Sequence, residues 1–303
     1  MYLNNIWLIG NQGMLGMELT LLLESSGLPF IGTDREIDIT DRAALLSFIE
    51  KQQKPISWII NCAAYTAVDK AEDDRETCRL LNTEGAGNIA WVAAKIGSRL
   101  VHISTDYVFN GQGTQPYTED DAADPTGVYG LTKWDGEIKV WKENVQSYII
   151  RTAWLYGKHG NNFVHTMLRR MQEQESISVV NDQRGSPTWT YDLASAIITL
   201  LSLVNTGSKI PYSIYHFTNE GNITWFDFAY EINRQGRDLG ILTDTCKVLP
   251  CCSADFPTKA QRPAYSVLDK TKIKTALGIT IPTWDESLGK YLVTNREAFL
   301  KNA

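Results

Sequence analysis

The 303-residue chain predicts an α/β fold, a doubly wound parallel sheet with a smaller, discontinuous lobe in its C-terminal half. Three observations carry that reading. Short apolar runs alternate with helix-spaced patterns through the first half, the first run ends in a glycine-rich turn that opens into a helix, and the alternation loosens beyond Arg151.

Strands are expected at Ile6–Ile9, Phe30–Thr33, Trp58–Asn61, Leu100–Ser104 and Tyr148–Arg151. A strand covered on both faces needs apolar side chains in succession, so Trp58-Ile59-Ile60 suits the sheet interior. The intervening segments Met14–Ser25, Asp41–Lys51, Asn82–Ile96 and Tyr129–Lys142 have helical apolar spacing, and such crossovers make the strands parallel. Thr40-Asp41 is the expected cap of the second helix, since a threonine oxygen can accept a free backbone N–H. Farther on, Trp154–Asn162 and Cys246–Arg262, the latter with Pro250 and Pro257, read as loops. Helices resume at Phe163–Gln174, Tyr191–Val204, Trp225–Gln235, Lys270–Leu277 and Asp285–Ala298.

Composition narrows the function classes. A formal charge of −6 with no run of lysine or arginine leaves no electrostatic footprint for nucleic acid. No stretch reaches the ~18 apolar residues of a membrane span, and the first residues lack a basic leader. The five cysteines are odd in number, lack zinc spacing and suit free thiols in a reducing compartment, so the expected location is the cytoplasm.

The first turn reads Gly10-Asn11-Gln12-Gly13-Met14-Leu15-Gly16. Glycines there permit a tight turn, close backbone approach to a pyrophosphate and close helix packing, with the helix N-terminus facing the anion. Asp34 closes the second strand near the ~20-residue distance at which a carboxylate meets the adenosine ribose. Arg35 beside it suits a 2′-phosphate instead, so NADH and NADPH both remain open. These features describe a Rossmann-type unit over residues 1–151, rejoined by segments at about 178–204 and 215–236, with 152–303 forming mainly a substrate lobe.

Tyr129 and Lys133 stand at i and i+4 and share a helix face. A neighbouring ammonium favours the ionised phenol and so lowers its pKa. His102-Ile103-Ser104-Thr105-Asp106-Tyr107 ends the fourth strand with hydroxyls able to polarise a carbonyl.

Taken together, Gly10/Gly13/Gly16, Asn61-Cys62-Ala63-Ala64, Ser104-Thr105-Asp106-Tyr107-Val108-Phe109 and Tyr129-Gly130-Leu131-Thr132-Lys133 resemble the extended short-chain dehydrogenase/reductase family in order and spacing. Within it, Tyr65-Thr66-Ala67-Val68-Asp69, Arg151-Thr152-Ala153-Trp154-Leu155-Tyr156-Gly157 and Asp182-Gln183-Arg184-Gly185-Ser186-Pro187 resemble the dTDP-4-dehydrorhamnose reductases, over nearly the whole chain.

That resemblance implies reduction of the C4 keto group of a nucleotide-linked 4-keto-6-deoxysugar for cell-surface polysaccharide precursors. Tyr129 would supply the proton, Lys133 would hold the nicotinamide ribose and lower the tyrosine pKa, and Thr105 would hydrogen-bond the developing alkoxide. Cofactor contacts are implied for Gly10, Gln12, Gly13, Met14, Leu15, Gly16, Asp34, Arg35, Asp38, Ile39, Ala63, Ala64 and Thr66. Sugar contacts are implied for Thr66, Val68, Thr105, Asp106, Tyr107 and Trp154, and nucleotide contacts for Asn162, Gln183, Arg184 and Pro187.

Some relatives pair as homodimers through magnesium. The matching positions here are Glu18, Tyr191 and Asp192, where a tyrosine replaces one carboxylate and weakens a metal-bridged pairing; magnesium on Glu18 and Asp192 stays open without support from the residues, and a homodimer stays open as well. Two rival readings keep the dinucleotide site. One is an epimerase or dehydratase, against which Thr105-Asp106-Tyr107 lacks the acidic doublet of such relatives. The other is a regulatory subunit without turnover, against which Tyr129 and Lys133 are intact.

Overall fold

Along β1 (Asn5–Ile9) the side chains alternate between two buried layers. Ile6 and Leu8 enter one apolar core, Trp7 and Ile9 another. The strand is therefore covered on both faces. The computed structural model that shows this describes residues 5–243 and 246–301. β2 (Phe30–Thr33), β3 (Ile56–Asn61), β4 (Arg99–Thr105) and β5 (Ser147–Thr152) lie parallel with β1. With the short strand Ile214–His216 beyond β5, they form a six-stranded sheet ordered β2-β1-β3-β4-β5 and then that strand. The order reverses between β1 and β3, and the crevice at the carboxyl ends of these two strands is where such sheets bind ligands.

One face of the sheet is covered by the helices Met14–Ser25, Thr190–Asn205 and Thr271–Leu277, which contribute Leu15, Leu19, Leu193, Ile197 and Ile273. The other is covered by Arg42–Glu50, Ala86–Lys95 and Val128–Glu143 through Leu45, Ile89, Ala93 and Val140. Trp7 and Trp58 are wholly buried, and Trp7 satisfies its indole N–H on Thr33 Oγ1 at 2.8 Å. Truncating either to alanine would cost about 3–5 kcal/mol.

A separate apolar core gathers the helices Phe163–Glu173, Trp225–Asp238 and Trp284–Lys301 around Val164, Leu168, Phe228, Ile232, Leu288 and Tyr291. Of the later segments expected to return to the first unit, helix Thr190–Asn205 and strand Ile214–His216 do pack on the main sheet. Strand Ser176–Val180 and helix Trp225–Asp238 instead build the separate core, because their apolar residues Ile177, Val179, Phe228 and Ile232 face one another.

Local departures have local causes. Within the expected Thr40-Asp41 cap the accepting side chain is that of Asp41, which takes Ala43 N at 2.8 Å, since the Thr40 hydroxyl is bound to Asp38. Within the loop-like Cys246–Arg262 stretch, Lys247–Cys251 is a strand paired in parallel with Ser176–Val180, and Pro250 is accommodated in a two-stranded sheet. The helix expected from Asn82 opens as a π-helical turn, Leu80–Gly85, before turning α-helical at Ala86.

Candidate active site

The glycine turn is built from backbone. Gly10, at φ +80°, donates to Thr33 O at 2.7 Å, and a Cβ there would lie 2.6 Å from Ala63 N. β1 and β3 thus meet at the switch point with no side chain between them. Gly16 presses onto the same turn, where a Cβ would stand 2.1 Å from Gly10 O. Helix Met14–Ser25 starts without a side-chain cap or an acidic residue in its first turn, and Gln12 and Gly13 are exposed, so its free N–H groups suit an anionic pyrophosphate. This donor set fits a dinucleotide.

Around it, Arg35 is exposed and Asp34 half-buried. Leu15 is packed into the core, while Met14 is half-buried at the turn. Asp38 accepts from the backbone and hydroxyl of Thr40, at 2.8 and 2.7 Å. The Ile39 side chain fills space above Gly85, leaving its backbone rather than its side chain for a cofactor contact.

After β3, Asn61 Oδ1 accepts from Ala63 N at 3.0 Å, which shapes the Ala63-Ala64 turn, and Thr66 stands exposed beyond it. Asn82, in the π-helical turn, accepts from Tyr65 N at 2.8 Å and donates to Tyr65 O at 3.1 Å and Thr132 Oγ1 at 3.2 Å. It joins the loop after β3 to the helix bearing Tyr129 and Lys133. Sequence reasoning missed this residue, whose signal was an asparagine at the start of an apolar helical pattern.

β4 delivers Thr105 at its end, and helix Val128–Glu143 delivers Tyr129 and Lys133 beside it. Tyr129 stands close to Thr105. Burial raises the phenol pKa and the neighbouring Thr105 hydroxyl lowers it in part, so the phenol keeps its proton at neutral pH. The expected lowering by Lys133 is thus corrected. The ammonium is directed away, donating to Ile103 O at 2.6 Å, and is 2% exposed. Burial lowers the Lys133 pKa to about 8, with Glu137 acting against that fall. Burial also pushes the nearby Cys62 thiol up to about 12, leaving it neutral.

Asp106 is 2% exposed and takes the Thr105 hydroxyl at 3.1 Å, and burial pushes its carboxyl up to about 6. Tyr107 rather than an acid follows it, which weighs against dehydratase chemistry. Tyr107 packs edge to face on Tyr129 and takes a hydrogen bond from Arg262 at 3.0 Å.

Tyr107 also borders a cavity of about 390 Å³ that opens toward the separate core. Phe163, Met167 and Arg170, one stripe of a single helix, line it together with Gln183, Trp225 and Arg262. Of the expected nucleotide residues only Gln183 lies on this lining. Arg184 instead donates to Asn222 Oδ1 and O, both at 2.9 Å. Asn162 caps its helix by accepting from His165 N and donates to Gly157 O. Pro187 gives its carbonyl to Asn219. Trp154, at φ 47°, stacks on Trp225 with centroids 3.5 Å apart, one layer behind the cavity wall. Val68 opens the short helix Val68–Ala71, and Asp69 of that helix pairs with Arg262 at 2.6 Å.

Glu18 and Asp192 have protein partners. Glu18 accepts from Thr190, and Asp192 accepts from Asn219 and Ser287, each at 2.6 Å. Among the described residues no group of three or more histidine, cysteine or acidic side chains is placed to hold a metal ion.

Residues 4–296 match the family model described as RmlD substrate binding domain. The chain belongs to that family. Among RmlD-family relatives, the dTDP-4-dehydrorhamnose reductase of Aggregatibacter actinomycetemcomitans is 39% identical, over 92% of this chain and 95% of its own. The crystal structure of a dTDP-4-dehydrorhamnose reductase from Clostridium acetobutylicum is 38% identical, covers 96% of this chain and 99% of its own, and superposes with a TM-score of 0.89. That of the Bacillus anthracis dTDP-4-dehydrorhamnose reductase, solved in complex with NADP, is 35% identical with the same coverage and a TM-score of 0.88. The RmlD-family assignment therefore spans both the sheet and the separate core. Among the described residues, no helix is long and apolar enough to cross a membrane.

Proposed function

We propose that this chain reduces the C4 keto group of dTDP-4-dehydro-L-rhamnose to give dTDP-L-rhamnose, using NADPH or NADH. The observation that carries this reading is the convergence of Thr105, Tyr129 and Lys133 at the carboxyl end of β4, where Tyr107, packed on Tyr129, borders the 390 Å³ cavity. The NADP complex of the Bacillus anthracis relative favours NADPH. The sheet and its glycine turn hold the dinucleotide, and the cavity against the separate core holds the sugar nucleotide. We place the enzyme in the cytoplasm, in keeping with its free cysteines.

When bound, the reduced nicotinamide supplies the hydride that the C4 carbon receives. Tyr129, neutral at physiological pH, gives its proton to the C4 oxygen as the C=O π bond breaks, so hydride and proton together convert carbonyl to alcohol. Thr105 donates a hydrogen bond to the same oxygen as charge develops there. Lys133 holds ribose hydroxyls. Met14, Ala63 and Ala64 narrow the cofactor side of the cleft, while Arg170 and Arg262 offer cations for the sugar diphosphate.

The test is oxidation of NADPH or NADH by the purified chain on addition of dTDP-4-dehydro-L-rhamnose. Turnover with dTDP-L-rhamnose as product is expected. Protein that binds either cofactor yet reduces no keto sugar would overturn the proposal in favour of the regulatory reading.

A further inference from the structure

Glu137 stands one helical turn beyond Lys133, so Tyr129, Lys133 and Glu137 run along one face of helix Val128–Glu143. It is fully buried, and its carboxylate is held from two strands. Arg151 of β5 donates to it at 2.7 and 2.9 Å, and Ser104 of β4 donates at 2.5 Å. Lys133 donates to the carbonyl of Ile103, the residue before Ser104. One short piece of β4 therefore holds the lysine by its backbone and the glutamate by its side chain.

A buried ion pair is a weak source of net stability, since well-packed apolar residues often serve as well. A carboxylate at this place does one thing that an apolar side chain cannot, which is to favour positive charge on the neighbouring amine. Burial lowers the Lys133 pKa to about 8, and Glu137 acts against it. The other titratable groups facing Lys133 do not replace that charge. Burial raises the thiols of Cys62 on β3 and Cys78 on helix Arg75–Arg79, as it does the Tyr129 phenol, and it lowers His102 on β4, so all four are neutral near pH 7. Asp106 lies beyond Thr105, on the Tyr129 side. Arg151, bound to Glu137 and stacked over Phe109 and Trp134, carries the opposite charge and offsets part of the pull of the carboxylate on Lys133.

We propose that Glu137 is a positioning residue for Lys133: its carboxylate, fixed by Arg151 and Ser104, holds this end of β4 so that the Ile103 carbonyl stays beneath the lysine amine. The proposal rests on the role given to Lys133 above.

The test uses the full chain with isotope-labelled lysine, following the Lys133 resonance, identified by its loss in Lys133→Arg, through a pH titration. The pH profile of kcat/KM is measured in parallel. The wild-type midpoint is expected near 8. In Glu137→Gln it should fall by about one pH unit, with the alkaline limb of activity moving down alongside it. Glu137→Asp should keep the wild-type midpoint. If Glu137→Gln fails to fold, the double variant Glu137→Met/Arg151→Met removes both buried charges without leaving one unpaired, and it should still lower the midpoint, by less than about one pH unit, because the repulsion of Arg151 is removed together with the attraction of Glu137. A lower Tm with an unchanged Lys133 midpoint, in either variant, would reduce the pair to a structural role and overturn the proposal. Should the wild type reduce no sugar, the functional reading fails, while the titration still decides the part played by Glu137.

Discussion

Tyr107 and Tyr129 meet edge to face with ring centroids 5.5 Å apart, which sets the end of β4 against the first turn of the helix that bears the proposed proton donor. The approach is close because residue 130 is glycine: a Cβ there would lie 2.1 Å from Tyr107 O. Thr105 and Tyr129 are thereby held as one unit, and in the proposed reduction their shared target is the oxygen of a bound carbonyl.

Tyr129→Phe keeps the ring and this packing while removing the proton. It should lower kcat by about 10²–10⁴-fold, the usual contribution of a general acid, and leave cofactor affinity within about twofold of wild type. Steady-state kinetics and a cofactor fluorescence titration read the two effects separately. Unchanged kcat would take Tyr129 out of the mechanism.

What the sequence made legible follows from how each feature is specified. Strands buried on both faces demand apolar runs, so Trp58-Ile59-Ile60 announces β3, whereas Lys247–Cys251, largely exposed and holding Pro250, carries no such run. Thr105, Tyr129 and Lys133 were readable because motif order fixes them. The cavity was not, since Phe163, Gln183, Trp225 and Arg262 come from separate segments that only tertiary packing brings together. Arg184 misled for the same reason, its guanidinium having met Asn222 across a two-stranded pairing.

The three motif glycines should respond unequally to alanine. At Gly13 a Cβ would sit 3.3 Å from Gly10 O, a contact that small shifts relieve, and the residue is exposed. At Gly16 it would sit 2.1 Å from the same atom. Gly13→Ala should keep the wild-type Tm and weaken cofactor binding, whereas Gly16→Ala should lower both Tm and affinity. Equal melting temperatures for the two variants would contradict this account of the turn.

Arg170 ends the Phe163–Met167–Arg170 stripe on the cavity wall. A charge-assisted hydrogen bond to a diphosphate is worth about 1.5–3 kcal/mol, so Arg170→Ala should raise KM for the sugar nucleotide roughly tenfold or more. Cofactor affinity should stay unchanged, and added salt should narrow the gap between variant and wild type if part of the loss is long-range attraction. A KM equal to the wild-type value would mean that the diphosphate lies elsewhere.

Asp106 makes stability depend on pH in a calculable direction. Its carboxyl is buried and titrates at about 6 in the folded chain, against an ordinary value of 3.8. Between those values the native state holds a proton that the unfolded chain has released. The group's stabilising contribution is therefore complete below about pH 4 and is lost as pH rises through 6. A shift of roughly two pH units corresponds to a cost on the order of 2–3 kcal/mol for carrying the charged form above pH 7. Asp106→Asn removes that charge and keeps the size, so it should raise Tm by several degrees at about pH 8 and give no such gain at about pH 4. Comparing variant with wild type at each pH cancels the titration of every other group. A gain of the same size at both pH values would show that the effect is packing, and a loss at pH 8 would show that the carboxylate is satisfied where it lies.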